Sequence, residues 1–225
     1  DVERSRGLGD VYKRQIIWCY YSGKIEGNSY TYVETETLLK DQITSLKKYE
    51  DAEILITLHN TFTTELEYIK ERNSKEIDKS TLFRVYQSIS AGLVPDEESE
   101  HLRNRPVCVS GIEYTPTKEL HKISEKLDEI LHQQEQYTNP LERAVYLHCN
   151  IAQLQPFANK NKHASRMIES IVLMNADIIP VYSLRETDIL NYKKGVLFFC
   201  ETGEYSLYAD YFLNRQIERI KEIEE

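Results

Sequence analysis

Apolar residues recur at helical spacing along most of this sequence, and that pattern restricts the chain to a helical fold. The clearest stripe steps by three, four, four and three positions and consists of Leu55, Leu58, Phe62, Leu66 and Ile69. Such steps place apolar side chains on one face of an α-helix, where they can pack on a core. Similar patterns predict further helices at residues 34–48, 78–90, 118–134, 140–154, 162–175, 188–199 and 208–223. The sequence therefore predicts an all-α single domain.

The composition limits the class of protein. The chain has 225 residues, which is enough for one domain with a sizeable core. Its formal net charge of −9 argues against a broad DNA- or RNA-binding face, because phosphate neutralisation needs clustered Lys and Arg. The sequence has no apolar run long enough to span a membrane and no signal-peptide core, and its four cysteines lie far apart. We therefore expect a cytoplasmic protein with reduced thiols and with no membrane or nucleic-acid partner.

Two segments depart from the helical pattern. Residues 1–15 are polar, Arg-rich and aperiodic, and we interpret them as a non-native or disordered leader to the domain at residues 16–225. Residues 107–114 carry β-forming side chains on both sides of Ser110 and Gly111, which predicts a short β-hairpin. The expected architecture is a helical bundle with one hairpin.

The most informative segment is the loop at residues 155–166, QPFANKNKHASR, which connects two predicted helices. The loop leads into a helix N-terminus, where free N–H groups and the helix dipole favour an anion such as phosphate. Lys160, Lys162, His163 and Arg166 form a local basic cluster there in an acidic chain. The residues alone leave two interpretations open, an ordinary turn with a solvated basic face or a phosphate-binding loop.

This loop resembles the Fic signature HPFx[D/E]GNGRxxR, and three other segments agree with that family in sequence and spacing. NPLERAVYLHCNIAQLQPF resembles the helix that leads into the signature, RNRPVCVSGIEYTP resembles the flap hairpin, and SGKIEGN resembles the inhibitory helix. The similarity covers most of residues 16–225. It implies a Fic (Fido) domain of the subgroup with an N-terminal inhibitory helix, here at about residues 16–27. The implied fold is a Fic-type helical bundle with a short β-hairpin flap.

The resemblance also implies an activity and its cofactors. Fic enzymes are protein adenylyltransferases that transfer AMP from ATP, with Mg²⁺, to a hydroxyl group of a target protein. Gln155 stands at the position of the catalytic histidine, and its neutral amide has no lone pair basic enough to deprotonate that hydroxyl. Asn159 replaces the carboxylate that would bind Mg²⁺, which leaves a weaker metal ligand. Both departures weaken the case for AMP transfer.

The phosphate-binding positions of the signature are altered as well. Asn161 and Arg166 match the family pattern. Lys160 and Lys162 replace the two glycines of the anion hole, which adds bulk and also positive charge. His163 replaces an arginine whose fork-shaped guanidinium an imidazole cannot reproduce. By resemblance, these five residues are the candidate nucleotide- or phosphate-binding residues.

A second motif points to regulation. Residues 22–27, SGKIEG, match the inhibitory pattern [S/T]xxxE[G/N]. In the family, this glutamate pairs with the last arginine of the signature and blocks placement of the γ-phosphate. The resemblance therefore implies that Ser22, Glu26 and Gly27 are regulatory and that Glu26 pairs with Arg166. The alternative is that Glu26 is a surface charge before a glycine that ends the helix.

Three functions stay open at this point. The first is a degenerate Fic-fold protein that binds a nucleotide or related phosphate ligand and has weak or no AMP transfer. The second is an active transferase of AMP or another phosphate-containing group by altered chemistry, and the third is a non-catalytic interaction module. A target protein would dock on residues 107–114 by strand addition, and a homo-oligomer is left open. His148 is expected to pack in the core.

Overall fold

A computed structural model of the chain describes the backbone of residues 2–71 and 76–224 and the side chains of residues 11–71 and 76–221. The described part is helical, which confirms the predicted all-α class. The helices are α1 (Val2–Ile25), α2 (Tyr32–Asp41), α3 (Tyr49–Glu71), α4 (Lys79–Ser90), α5 (Asp96–Ser99), α6 (Leu120–Gln133), α7 (Pro140–Leu154), α8 (Asn161–Asn175), α9 (Glu186–Thr202) and α10 (Ser206–Glu224). A short 3₁₀ helix, Gln134–Gln136, links α6 to α7. Within this described part, every helix is too short or too polar to cross a membrane.

Helices α7 and α8 form the centre of the fold, because they make the most extensive helix pair. Helices α3 and α4 pack on α8, whereas α6 and α9 pack on α7. Helix α10 lies on α9, and α1 lies on α3 and α9. Every residue of α8 from His163 to Leu173 is buried, so α8 is the core helix of the domain. Its N-terminus receives the loop that the sequence singles out.

The C-terminal end of α1 is closed by backbone hydrogen bonds. Helix α1 ends at Ile25, and Gly27 follows in a left-handed conformation with φ of +89°, which glycine adopts without steric cost. The Gly27 N–H donates to the Lys24 carbonyl at 3.1 Å and the Asn28 N–H to the Gly23 carbonyl at 3.0 Å. This arrangement turns the chain sharply after Glu26.

The structure corrects one predicted helix boundary and adds a helix over the N-terminal segment. The helix predicted at residues 34–48 is wrong at its C-terminal end, because α2 stops at Asp41. Gln42 takes a left-handed conformation with φ of 56°, and its N–H donates to the Leu38 carbonyl at 3.0 Å. Helix α1 extends over most of residues 1–15, and the interpretation of this segment as a leader stays a prediction.

The predicted β-hairpin is wrong. Residues 107–114 form an irregular loop with a turn at Ser110 and Gly111, and Gly111 has φ of +97°. No β-strand is present in the described residues. Only the turn of the prediction is found, because two arms of about three residues make too few ladder hydrogen bonds for a hairpin without a partner strand. Val109 is buried and Cys108 is exposed.

Candidate functional site

The loop between α7 and α8 is bounded by two residues with left-handed backbone. Gln155 ends α7 with φ of 49°, and Lys160 precedes α8 with φ of 54°. Between them, Phe157 is fully buried. Its ring stacks on Tyr86 with centroids 3.7 Å apart and meets Phe83 edge-on at 5.4 Å. This aromatic contact anchors the loop to α4.

Asn161 stabilises the inside of the loop. The Phe157 N–H donates to Asn161 Oδ1 at 2.8 Å, and Asn161 Nδ2 donates to the Phe157 carbonyl at 2.9 Å and to Gln155 Oε1 at 3.1 Å. Gln155 Nε2 in turn donates to the Ala152 carbonyl at 2.5 Å. Both ends of the Gln155 amide are therefore engaged within the loop, and the side chain is only 8% exposed. The structure therefore gives the Gln155 amide a role in stabilising the loop.

Arg103 supports the same loop, although the sequence analysis did not select it. This residue is 3% exposed, and its guanidinium binds only backbone carbonyls in the described part of the chain. Arg103 Nε donates to the Gln155 carbonyl at 2.5 Å, and Nη2 donates to the Leu154 carbonyl at 3.3 Å. A cation beside the last carbonyls of α7 is favourable, because those carbonyls have no partner within the helix. Its only sequence signal is an arginine beside the expected flap.

Arg166 is fully buried and connects α8 to the end of α1. Its Nη2 donates to the Ser22 carbonyl at 3.1 Å and its Nε to Ser22 Oγ at 3.3 Å. The Glu26 N–H donates to the Gly23 carbonyl, so the Ser22 carbonyl needs a partner from outside the helix. Arg166 Nη1 donates to the Tyr192 hydroxyl at 2.9 Å. Most of the guanidinium donors are therefore used within the protein.

His163 makes the second contact to the same carbonyl. Its Nε2 lies 3.1 Å from the Ser22 carbonyl oxygen, which can only accept, so Nε2 carries the proton. Burial and the neighbouring Arg166 lower the pKa of His163 to about 3. His163 is therefore neutral at physiological pH and faces α1, where it cannot act as a cationic phosphate ligand.

Glu26 lies beside the cations at the start of α8. One carboxylate oxygen is 3.5 Å from Arg166 Nη1, and the other is 4.0 Å from Lys162 Nζ. Burial alone would raise the pKa of Glu26, but the positive charges of Arg166 and Lys162 outweigh it and lower the pKa. The Glu26 side chain is 31% exposed. The structure thus brings together Ser22, Glu26, Lys162, His163 and Arg166. The Glu26 carboxylate lies beside two of the cations that the sequence singles out, Lys162 and Arg166.

Lys160 and Asn159 lie at the edge of this group. Lys160 is half-buried, and burial lowers its pKa despite the nearby carboxylates of Glu50, Glu26 and Asp51. Asn159 is exposed. Groups of three or more His, Cys, Asp or Glu side chains able to hold a metal ion are not found in the described residues. The donors at the loop do not fit Mg²⁺, because Asn159 offers only a neutral amide oxygen and the Glu26 carboxylate is paired with two cations.

His148 lies behind Arg166 in the core, as the sequence predicts. The side chain is fully buried, and its Nε2 is 3.0 Å from the Tyr192 hydroxyl. Its Nδ1 is 3.3 Å from a carboxyl oxygen of Glu169. Burial raises the pKa of Glu169 to about 8 and holds the pKa of His148 well below its usual value. Both side chains are therefore uncharged at neutral pH.

Comparison with known proteins gives the family. The model of the Fic/DOC family matches residues 49–173, which is more than half of the chain. No curated protein matches the sequence. The fold and the loop between α7 and α8 define a Fic-type helical domain. The chain belongs to the Fic/DOC family.

Several solved structures share the fold. Fic-1 (residues 134–508) from C. elegans matches with a TM-score of 0.77 and 17% identity, and the match covers 94% of this chain and 62% of that one. A Fic family protein from Desulfovibrio desulfuricans G20 has a TM-score of 0.77 and 14% identity, with 95% and 66% covered. A Fic domain containing signaling protein from Bacteroides thetaiotaomicron VPI-5482 has a TM-score of 0.74 and 18% identity, with 99% and 86% covered. The chain thus spans less than two thirds of the Fic-1 chain, and these likenesses concern the fold.

Proposed function

We propose that the loop at residues 155–166 binds the phosphate groups of a nucleotide or related ligand, with weak or no AMP transfer. The observation that carries the proposal is the Glu26 carboxylate, which lies within 4.0 Å of Lys162 Nζ and 3.5 Å of Arg166 Nη1 at the start of α8. A site that holds a carboxylate of its own chain has the charge to hold a phosphate. In this proposal Lys160 and Lys162 attract the phosphate through their side-chain charges, whereas a glycine loop does so through its backbone N–H groups.

The absence of efficient AMP transfer follows from Gln155 in this proposal. A base must take the proton of the attacking hydroxyl, and an amide cannot do so. The Gln155 amide is also held by Asn161 and Ala152. Loss of a general base costs about 10²–10⁴ in rate. We therefore expect ligand binding to be measurable where transfer is not.

Glu26 is the autoinhibitory residue in this proposal. A phosphate that reaches Arg166 must displace the carboxylate, and the exposed fraction of the Glu26 side chain (31%) leaves a way out to solvent. Gly27 follows immediately and tolerates a change of backbone direction. Ser22 continues to hold two donors of Arg166 after Glu26 has moved. Displacement of Glu26 alone would therefore expose part of the cationic group while α1 stays docked.

Calorimetric titration with ATP, ADP and AMP tests the proposal, each with and without Mg²⁺. Glu26→Gln keeps the size of the side chain and removes its charge, so we expect about 10-fold tighter binding of ATP than in the wild type. Lys162→Ala in that background should weaken binding by about 10-fold. Glu67→Gln changes an exposed carboxylate of α3 outside the site and serves as the matched control. Mg²⁺ should change the affinity little.

The absence of heat with all three nucleotides in the wild type and in Glu26→Gln would overturn the binding proposal. The transfer part is tested separately by incubation with labelled ATP, Mg²⁺ and a cell lysate. We expect no label on protein. Label that appears with the wild type and disappears with Lys162→Ala would instead establish an active transferase with altered chemistry.

A further inference from the structure

A cavity of about 370 Å³ lies at the opposite end of α7 from the loop. It is open to solvent on one side and is lined by the first half of α7, the connection from α6 and the beginning of α10. Three tyrosines, Tyr137, Tyr146 and Tyr205, line it together with apolar side chains of α7 and α10. Glu142, also in its lining, precedes Leu154 by twelve residues, which is about 18 Å along a helix. The cavity is therefore separate from the proposed phosphate site.

The three tyrosine rings are fixed by their neighbours. Tyr137 and Tyr146 pack with centroids 4.7 Å apart. The Tyr146 hydroxyl donates to Gln133 Oε1 at 3.0 Å, and the Tyr205 hydroxyl accepts from Asn150 Nδ2 at 2.8 Å. Two of the hydroxyl groups are thus already engaged. The rings, rather than new hydroxyl contacts, are what these residues offer to a ligand.

The cavity carries negative charge only. Glu142 is the one charged side chain in its lining, and it has no ion pair with any other described residue. Burial raises the pKa of Tyr146, and the groups that add to this effect are Tyr205, Tyr137 and Glu129, none of which is a cation. Aromatic faces are themselves negative because of the ring quadrupole. The cavity therefore favours a ligand that has an apolar surface and a positive charge.

We propose that this cavity binds a methylated ammonium group beside the tyrosine rings, with Glu142 at the rim. Methylated ammonium groups combine an apolar surface with a diffuse positive charge, and aromatic rings bind them through cation–π attraction. A primary ammonium is more strongly hydrated and would lose more on entering this apolar space. The same head group occurs in free choline and in trimethylated lysine side chains, and the experiment separates these two sources.

The test compares a cation with a neutral molecule of the same shape. Choline, 3,3-dimethyl-1-butanol and a short peptide with trimethyl-lysine are titrated into the full chain and followed by calorimetry. We expect choline to bind about 3- to 30-fold more tightly than the neutral alcohol, because only the cation gains the ring attraction. Tighter binding of the peptide than of choline would assign the site to a protein partner, and the reverse would assign it to a small molecule.

Variants at the rings and at the rim complete the test. Tyr137→Phe keeps the ring face and should preserve the preference for the cation, whereas Tyr137→Leu removes one of the three rings and should reduce it. Tyr49→Leu changes an exposed tyrosine outside the cavity and is the matched control. Glu142→Gln, on the exposed rim, should weaken choline binding about threefold and provides a second measurement if Tyr137→Leu does not fold. Equal binding of choline and the alcohol, or no binding of any of the three ligands, would overturn the proposal.

Discussion

Three buried side chains behind the loop, Arg166, Tyr192 and His148, form a hydrogen-bonded chain, and Glu169 lies beside its end. Arg166 Nη1 donates to the Tyr192 hydroxyl, so that hydroxyl must donate its own proton to His148 Nε2. His148 consequently carries its proton on Nδ1, which faces Glu169 at 3.3 Å. The charge of Arg166 is therefore accommodated by a row of neutral groups and by Glu26. The hydrogen bonds among Arg166, Tyr192 and His148 thus allow one arrangement of protons, while His148 Nδ1 has no hydrogen-bond partner among the described residues.

Glu169 gives this row a pH dependence. Burial raises its pKa to about 8 in the folded chain, against about 4.3 in an unfolded one. Between these values the folded state holds a proton that the unfolded state has lost, so the contribution of Glu169 to stability falls as the pH rises. Glu169→Gln mimics the protonated carboxyl. We expect this variant to exceed the wild type in stability by about 1 kcal/mol at pH 5 and by a few kcal/mol at pH 8.

Urea denaturation of both proteins at pH 5, 6.5 and 8 measures this difference. His163 titrates in the opposite sense, because its lowered pKa makes the folded state lose stability as the pH falls below about 6.5. That effect is common to the wild type and the variant and cancels in their difference. A difference that stays constant with pH would mean that Glu169 is ionised in the folded state.

At the scale of elements, the sequence predicted the positions of the core helices. It did not predict a helix end that depends on the conformation of a single residue. Helices α7 and α8 lie within one residue of their predicted bounds, because long apolar stripes and the cap at Asn139 mark them. Helix α2 ends at Asp41 because Gln42 takes a left-handed conformation, which glutamine seldom adopts, and no sequence signal marks this stop. The expected hairpin rested on a turn and on two arms of about three β-forming residues, which are too short to pair on their own.

The packing of α9 on α10 depends on Gly195. A Cβ atom there would lie 2.7 Å from Tyr208 Cα and 2.9 Å from Tyr208 N, and backbone atoms cannot move aside easily. We expect Gly195→Ala to lower the free energy of unfolding by about 3 kcal/mol. Gly203→Ala is the matched control, since φ is +74° and the space around it is open, and its cost should be about 1 kcal/mol. Urea denaturation compares the two, and an equal loss would show that α10 shifts to accept the methyl group.

For the whole molecule, the sequence indicated which residues form the candidate site but not how they are partnered. The loop and the segment around Glu26 were recognised by motif, and the structure brings them together. The contacts of Arg166 with Ser22 and Tyr192 were not predicted, because they join residues 144 and 26 positions apart. A single sequence carries no distance information at that separation. For the same reason, the role of His163 at the end of α1 was not foreseen.

Arg103 joins three parts of the molecule, because its guanidinium holds the end of α7 together with both sides of the loop that contains residues 107–114. It donates to the carbonyls of Arg105 and Thr117 at 3.0 and 2.6 Å. Arg103→Met fills a similar volume but leaves these carbonyls without a partner, so we expect a loss of about 2–4 kcal/mol in the free energy of unfolding and faster proteolysis within the loop. Arg105→Met, whose exposed side chain pairs with Glu98, should cost less than about 1 kcal/mol. Equal proteolysis rates in both variants would show that Arg103 does not restrain the loop.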